Sequence, residues 1–149
     1  MSLLAYEKKR NLKKSGEPKA TIKKSKSKIF VVQFHKSRTA HFDFRLELSG
    51  VLKSWAIPKI PPTSKNIKRL AIQVEDHPLG YEKFKGIIPE GNYGAGKVEI
   101  WDKGTYELKY QDSKKIEIIL HGKKLKGHYI LVKTSYGNKP DKSWLLFKI

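Results

Sequence analysis

Cysteine is absent from this sequence of 149 residues. Disulfide staples, thiolate zinc sites and thiol nucleophiles are therefore excluded, and the absence fits an intracellular chain. Long apolar runs are also missing. No stretch is long enough to span a bilayer, and residues 1–6 give way to charge too soon for a secretory signal. Carboxylates are scarce, with 14 Asp+Glu against 32 Lys+Arg and a formal net charge of +18. Such an imbalance speaks to partners more than to fold. A polyanion is expected, nucleic acid first. An anionic membrane surface is the weaker choice, because no basic amphipathic helix with a broad apolar face is evident. A Lys-rich surface serving solubility or high-temperature life is the plain alternative. Internal repeats and long helical periodicity are lacking too, and the length suits one domain with a real core. The expectation is a soluble, cytoplasmic, monomeric protein without membrane contact.

What is present is mostly β pattern. Residues 1–28 stand apart as a basic arm, with a short helix expected over 7–14, a break at Ser15-Gly16-Glu17-Pro18, and a Lys/Ser run to Lys28. Residues 29–149 form the second unit. Strands are predicted over 29–35, 41–48, 51–57, 69–75, 97–101, 105–108, 116–120, 125–133 and 143–149. Ser49-Gly50, Asp102-Lys103-Gly104 and His121-Gly122 read as turns, and 86–96 as a glycine-studded loop with positive-φ positions. Short, evenly spaced strands predict a mainly β protein, a compact antiparallel barrel or a sandwich. Trp55, Trp101 and Trp144 all fall in strands and read as core.

The run His41-Phe42-Asp43-Phe44-Arg45-Leu46-Glu47-Leu48 alternates strictly between polar and apolar residues. On a strand, His41, Asp43, Arg45 and Glu47 share one face, and Phe42, Phe44, Leu46 and Leu48 the other. In 29–35 the same rule sets Val31, Gln33 and His35 opposite Phe30, Val32 and Phe34. A hairpin between these strands brings His35 toward His41 and Asp43. Two imidazoles and a carboxylate suit a borderline divalent ion such as manganese, zinc, iron or cobalt, with positions left for catalysis. Arg45 sits one same-face step from Asp43, roughly 7 Å along the strand, where a guanidinium can grip a phosphate held beside the metal. An ordinary surface ion pair of His41, Asp43, Arg45 and Glu47 is the competing reading. His77, at a strand end before Pro78, can donate to a phosphate oxygen or protonate a leaving alkoxide, and Tyr81 can add a hydroxyl. His121 and His128 read as surface residues. Gly91-Asn92-Tyr93-Gly94-Ala95-Gly96-Lys97 lacks the spacing and ending of a P-loop.

These residues recur as an ordered set. His35-x5-His41-Phe42-Asp43-Phe44-Arg45-Leu46-Glu47 is followed by Leu52-Lys53-Ser54-Trp55-Ala56-Ile57-Pro58-Lys59, Lys68-Arg69-Leu70-Ala71, Glu75-Asp76-His77-Pro78, Ile88-Pro89-Glu90-Gly91-x-Tyr93-Gly94-Ala95-Gly96 and Trp101-Asp102-x-Gly104. The set resembles the 3′-phosphoesterase module of bacterial DNA ligase D, across residues 29–149. The resemblance implies a compact β-barrel enzyme of end-joining repair, dependent on a divalent ion, preferably Mn2+, with Co2+ or Zn2+ as other candidates. Such a module removes a 3′-terminal ribonucleoside from a primer–template, then removes the remaining 3′-phosphate, leaving a 3′-hydroxyl. It implies His35, His41 and Asp43 as metal ligands and Arg45, His77 and Tyr81 at the scissile phosphate. Lys59, Arg69 and Glu75 would support the site, and Arg10 would join Arg45 and His77 in binding substrate. The implied partners are DNA or RNA-containing 3′ ends and a separate DNA ligase, polymerase and Ku. The N-terminal segment departs from the family pattern: Tyr6 and Arg10 are kept, but Asn11 stands where the family has Asp, and an amide supplies no carboxylate charge. No ligase or polymerase segment lies within these residues, so the expectation is a free-standing version of the module.

Two other classes stay open at this level. A non-haem iron oxygenase would use His41, Asp43 and His77 as a facial triad and leave His35 idle. A non-catalytic nucleic-acid-binding module would turn over no 3′-phosphate with any ion.

Overall fold

The computed structural model describes residues 28–92, 95–136, 139 and 141–149. The expected arm over 1–28 lies outside the described residues except for Lys28; its helix, Arg10 and Asn11 therefore lie outside them as well.

Nine strands appear among the described residues: β1 (Ile29–Lys36), β2 (His41–Leu48), β3 (Val51–Ile57), β4 (Lys68–His77), β5 (Gly86–Ile88), β6 (Gly96–Gln111), β7 (Lys115–His121), β8 (Lys126–Lys133) and β9 (Ser143–Lys148). The only helix among those residues is a 3-10 turn, Tyr81–Lys83. The strand order is β1-β2-β3-β4-β9-β8-β7-β6-β5, and β1 also pairs with β6. That last pairing closes eight antiparallel strands into a barrel and leaves β5 as a short flap on β6. Closure removes the exposed edges that an open sheet would present.

Alternation in the sequence decides what fills the barrel. Phe30, Val32, Phe42, Phe44, Leu46 and Leu48 point inward from β1 and β2, against Trp55, Ile118, Leu120, Tyr129, Leu131, Trp144 and Leu146. Trp55 and Trp144 meet edge to face, with ring centroids 5.8 Å apart, and Trp101 packs at the margin of the same cluster. All three indoles thus belong to the core, as expected. Each such large apolar side chain stabilises the fold by about 1.5–3 kcal/mol through burial. The interior is packed, so chemistry has to be built on the outside.

The tight turn expected at Asp102-Lys103-Gly104 does not exist. These residues lie within β6, a strand of 16 residues that wraps from β1 to β7. The register of β6 skips Trp101 opposite β1 and Lys109 opposite β7. An extra residue on one strand bends it, and these two bulges let β6 turn the corner that a loop was expected to make. The flap β5 also lies within the stretch read as loop, while Gly91 and Gly96 do take positive φ values of 87° and 141°. Ser49 and Gly50, both at positive φ, make the two-residue β2–β3 turn as predicted.

Asp102 has a structural duty that the turn reading concealed. Its buried carboxylate accepts N–H bonds from Lys123 (2.9 Å), Lys124 (3.1 Å) and Leu125 (2.8 Å) and so fixes the β7–β8 connection against β6. Gly122 is required there, because a Cβ would collide with that carboxylate and with the Phe30 ring. Removing the carboxylate leaves three donors without their acceptor. We expect Asp102→Ala to cost about 3 kcal/mol, on a scale of roughly 1.5–3 kcal/mol for bonds to a charged acceptor. A urea midpoint unchanged from wild type would contradict this.

Candidate active site

β1 and β2 pair with His35 opposite His41, Gln33 opposite Asp43 and Val31 opposite Arg45. The polar row of β2 therefore faces outward beside Gln33 and His35, as alternation predicted. β3 adds Ser54 opposite Arg45 and Ala56 opposite Asp43. A cleft of about 300 Å³ opens on this surface and is lined by His35, His41, Asp43, Arg45, Glu75, His77 and Tyr81 among others.

Asp43 sits at the centre. Its Oδ1 is 3.2 Å from His41 Nε2, and its Oδ2 lies 3.7 Å from His35 Nδ1 and 3.5 Å from Arg45 Nη2. One donor atom from each of His35, His41 and Asp43 falls within 4.8 Å of the others. The His41 Nδ1–H donates to the Thr39 carbonyl at 3.1 Å, which turns Nε2 toward Asp43. Metal-binding imidazoles are commonly oriented by such a bond on the far nitrogen. The donor set and its outer support fit a divalent ion. Burial works against ionising Asp43, but the Arg45 guanidinium, followed by His35 and His41, holds its carboxyl well below the usual carboxylate range. For His41, burial disfavours the charged ring, yet Asp43 outweighs it and the pKa is raised.

Arg45 is buried and held rigidly. Its Nε donates to Gln33 Oε1 at 2.7 Å and its Nη1 to Ser54 Oγ at 2.8 Å, while the Tyr81 ring lies under the guanidinium at 4.9 Å. Gln33 then gives its amide protons to the carbonyls of Tyr81 (2.7 Å) and Phe84 (3.0 Å). One fully buried amide thus ties Arg45 to the connection between β4 and β5. That connection covers the outer face with a second small apolar cluster of Leu52, Leu79, Tyr81 and Phe84. The ion pair of Arg45 with Asp43 is the one that the plain salt-bridge reading expected, and it leaves Arg45 lining the cleft.

His77 arrives by a route that alternation alone does not predict. Between β3 and β4 the register shifts, with Ser54 opposite Val74 and Leu52 opposite His77. The extra residue on β4 is a bulge, and Glu75, Asp76 and His77 are all buried in succession. Val74, Glu75 and His77 consequently line the cleft together. The His77 Nδ1–H donates to the Glu75 carbonyl at 3.0 Å, and its ring stands edge-on to Tyr81 at 4.7 Å. Asp76 instead pairs with Lys53 at 3.1 Å.

Seven of the residues singled out from the sequence therefore meet in one cleft. Lys59 and Arg69 do not line it; they lie in a neighbouring groove, where Arg69 Nε bonds the Ile60 carbonyl. Glu47, the last member of the polar row, is structural: its carboxylate accepts the Ile29 N–H at 3.0 Å. Sequence reading missed Gln33 and Ser54, although both fall on the polar face by alternation. His77 stands outside the cluster of His35, His41 and Asp43, so the facial triad considered for an oxygenase is not the set of donors brought together. His121 and His128 pair with Glu107 and Glu117 on the surface, as expected.

Residues 33–133 match the family described as the DNA Ligase D 3′-phosphoesterase domain. The chain is 46% identical over 139 residues to the multifunctional non-homologous end joining DNA repair protein LigD of Mycobacterium tuberculosis, covering 89% of this chain and 18% of that protein. It is 41% identical over 154 residues to the corresponding protein of Pseudomonas aeruginosa, covering 98% and 18%. With that of Mycolicibacterium smegmatis the identity is 41% over 160 residues, covering 99% and 20%. The chain thus spans about a fifth of the length of these curated relatives. Among the described residues, no helix is long and apolar enough to cross a membrane.

The geometry makes a binding prediction that needs no substrate. Titration of the purified protein with Mn2+ in a calorimeter should show one site. Asp43→Ala and His35→Ala should each weaken it by at least tenfold, on the scale of a lost ligand. His121→Ala should leave it unchanged. Equal affinity in all four proteins would rule out this cluster as the site.

Proposed function

The chain belongs to the DNA ligase D 3′-phosphoesterase domain family, and from that membership we propose that it is a divalent-metal phosphoesterase trimming the 3′ ends of DNA and of strands that end in ribonucleotides. The observation that carries this reading is the convergence of His35, His41 and Asp43 within 4.8 Å, beside a buried arginine in a cleft that also holds His77. His35, His41 and Asp43 would hold the ion. Their nitrogen and oxygen donors suit Mn2+, and also Co2+ or Zn2+. When bound, the ion supplies Lewis acidity toward a phosphoryl oxygen.

The protein's own groups do the rest. Arg45 presents a guanidinium whose direction is set by Gln33, Ser54 and the Tyr81 ring, so its charge meets a phosphate without prior reorganisation. Because the Nδ1–H of His77 is taken up by the Glu75 carbonyl, exchange with substrate falls to Nε2. That atom either holds a phosphate oxygen or delivers a proton to the departing oxygen. Tyr81 and Glu75 frame the same cleft. In the diesterase step, water adds to the terminal phosphodiester and the P–O5′ bond breaks. The ribonucleoside leaves with a 5′-hydroxyl, and a 3′-phosphate stays on the primer. In the monoesterase step, water adds to that phosphate and the P–O3′ bond breaks, giving a 3′-hydroxyl and inorganic phosphate. The product is the end that a polymerase or ligase consumes, so a separate ligase, polymerase and Ku are the proposed associates. A net charge of +18 supports backbone contact with the nucleic acid.

A labelled primer–template ending in one ribonucleotide should lose the nucleoside and then the phosphate when Mn2+ is present, and neither when it is withheld. His41→Ala should abolish both steps while duplex binding stays within about twofold; metal-dependent turnover by this variant would refute the assignment. Gln33→Ala should lower kcat/KM by about 10²-fold, the scale of a misplaced catalytic group, with metal affinity retained. Wild-type kcat/KM in that variant would remove the positioning role given to Gln33.

A further inference from the structure

Beside the cleft lies a second depression of about 280 Å³, lined by Pro58, Lys59, Lys68, Arg69, Leu70 and Tyr136. Three of its six lining residues are cations and none is a carboxylate. Tyr136 is 70% exposed, an aromatic ring left in water. The groove continues the surface that carries the active site. Ala56 on β3 lines the cleft and Pro58, just past the end of β3, lines the groove; on β4, Val74 lines the cleft and Leu70 the groove. Leu70 and Val74 share a face by strand parity, and the separations along the chain are two and four residue rises, roughly 7 and 13 Å. At about 3.4 Å per base step, that is two to four nucleotides.

Exposure within the cleft gives the direction of approach. The His41 side chain is 25% exposed, whereas that of Arg45, stacked against the Tyr81 ring, is 4% exposed. A polymer therefore reaches the centre across the His41 end, and His41 neighbours Phe42, whose partner on β3 is Ile57, one residue before Pro58. Cations spaced along a groove with one accessible aromatic ring are the elements that hold a single strand without reading its sequence: phosphates pair with the cations and a base stacks on the ring.

We propose that this groove is a subsite for the strand leading to the reacting 3′ end, with Tyr136 stacking on a base two to four positions back and Lys68 contacting a phosphate. The inference rests on the proposed function but has its own test. Steady-state kinetics would compare a 3′-phosphorylated oligonucleotide with a nucleoside 3′-phosphate, which fills the cleft alone. Tyr136→Ala should raise the oligonucleotide KM about tenfold, the scale of one lost stacking contact, leaving its kcat and the turnover of the nucleoside unchanged. Tyr136→Phe should keep the wild-type KM. Abasic sites at positions two to four should erase the difference between wild type and Tyr136→Ala. Lys68→Ala should reduce the salt dependence of binding by about one counterion. An unchanged oligonucleotide KM in Tyr136→Ala, or equal losses on both substrates, would overturn the subsite. If the wild-type protein turned over neither substrate, the proposed function would fall. Anisotropy of a labelled oligonucleotide would then decide the groove: tenfold weaker binding by Tyr136→Ala sustains it, and equal binding overturns it.

Discussion

Everything in the cleft depends on one buried carboxylate. Asp43, itself largely shielded from solvent, faces two imidazoles and a guanidinium within 3.7 Å. Taking charges out of water costs several kcal/mol per ion, and such an arrangement is poor evidence of stability. Its persistence in a packed protein points to use. Arg45 keeps Asp43 ionised, Asp43 draws His41 and His35 inward, and Gln33 locks Arg45 from the other side. The cluster is the candidate metal site, with one donor atom from each of its three residues within 4.8 Å of the others.

Alternation made most of this legible before any coordinates. The β2 pattern separated a core row from a polar row, and the hairpin with β1 brought His35 opposite His41 in the register that the short loop implied. Strand bounds for β2 and β3 coincide with those read from the sequence. What escaped was every place where strict alternation fails. The β4 bulge brings Glu75 and His77 to the cleft side by side, and no single-sequence rule places a bulge there. The bulges of β6 carried the chain through Asp102-Lys103-Gly104, whose Asp and Gly resemble a turn but serve to anchor the β7–β8 connection and to let strands approach closely. Gln33 was visible as a polar residue on the right face. Its three partners lie on β2 and on a connection some fifty residues away, which is information held only by the tertiary fold.

The barrel separates two demands on the same strands. Inward residues of β1–β4 satisfy packing, and outward residues of those strands satisfy chemistry. Lys59 and Arg69 illustrate the limit of reading a site as one cluster. They sit at the barrel end adjoining the cleft, in a groove of their own, which suits long-range contact with a charged polymer better than contact with the atoms that react. The strongly positive sequence fits a protein whose reactive centre is small but whose ligand is long.

The irregularity in β4 sets regular hydrogen bonding against activity. Deleting one residue between Val74 and His77 would let β3 and β4 pair without a break, and the sheet would gain by becoming more ideal. The same deletion would leave His77 on the face of Val74, two residues further on, but would remove Glu75 or turn it by parity away from the cleft. A sturdier barrel and a cleft that keeps Glu75 are therefore opposed at this single position, and a thermostability screen carried out alone would reward the loss of that carboxylate.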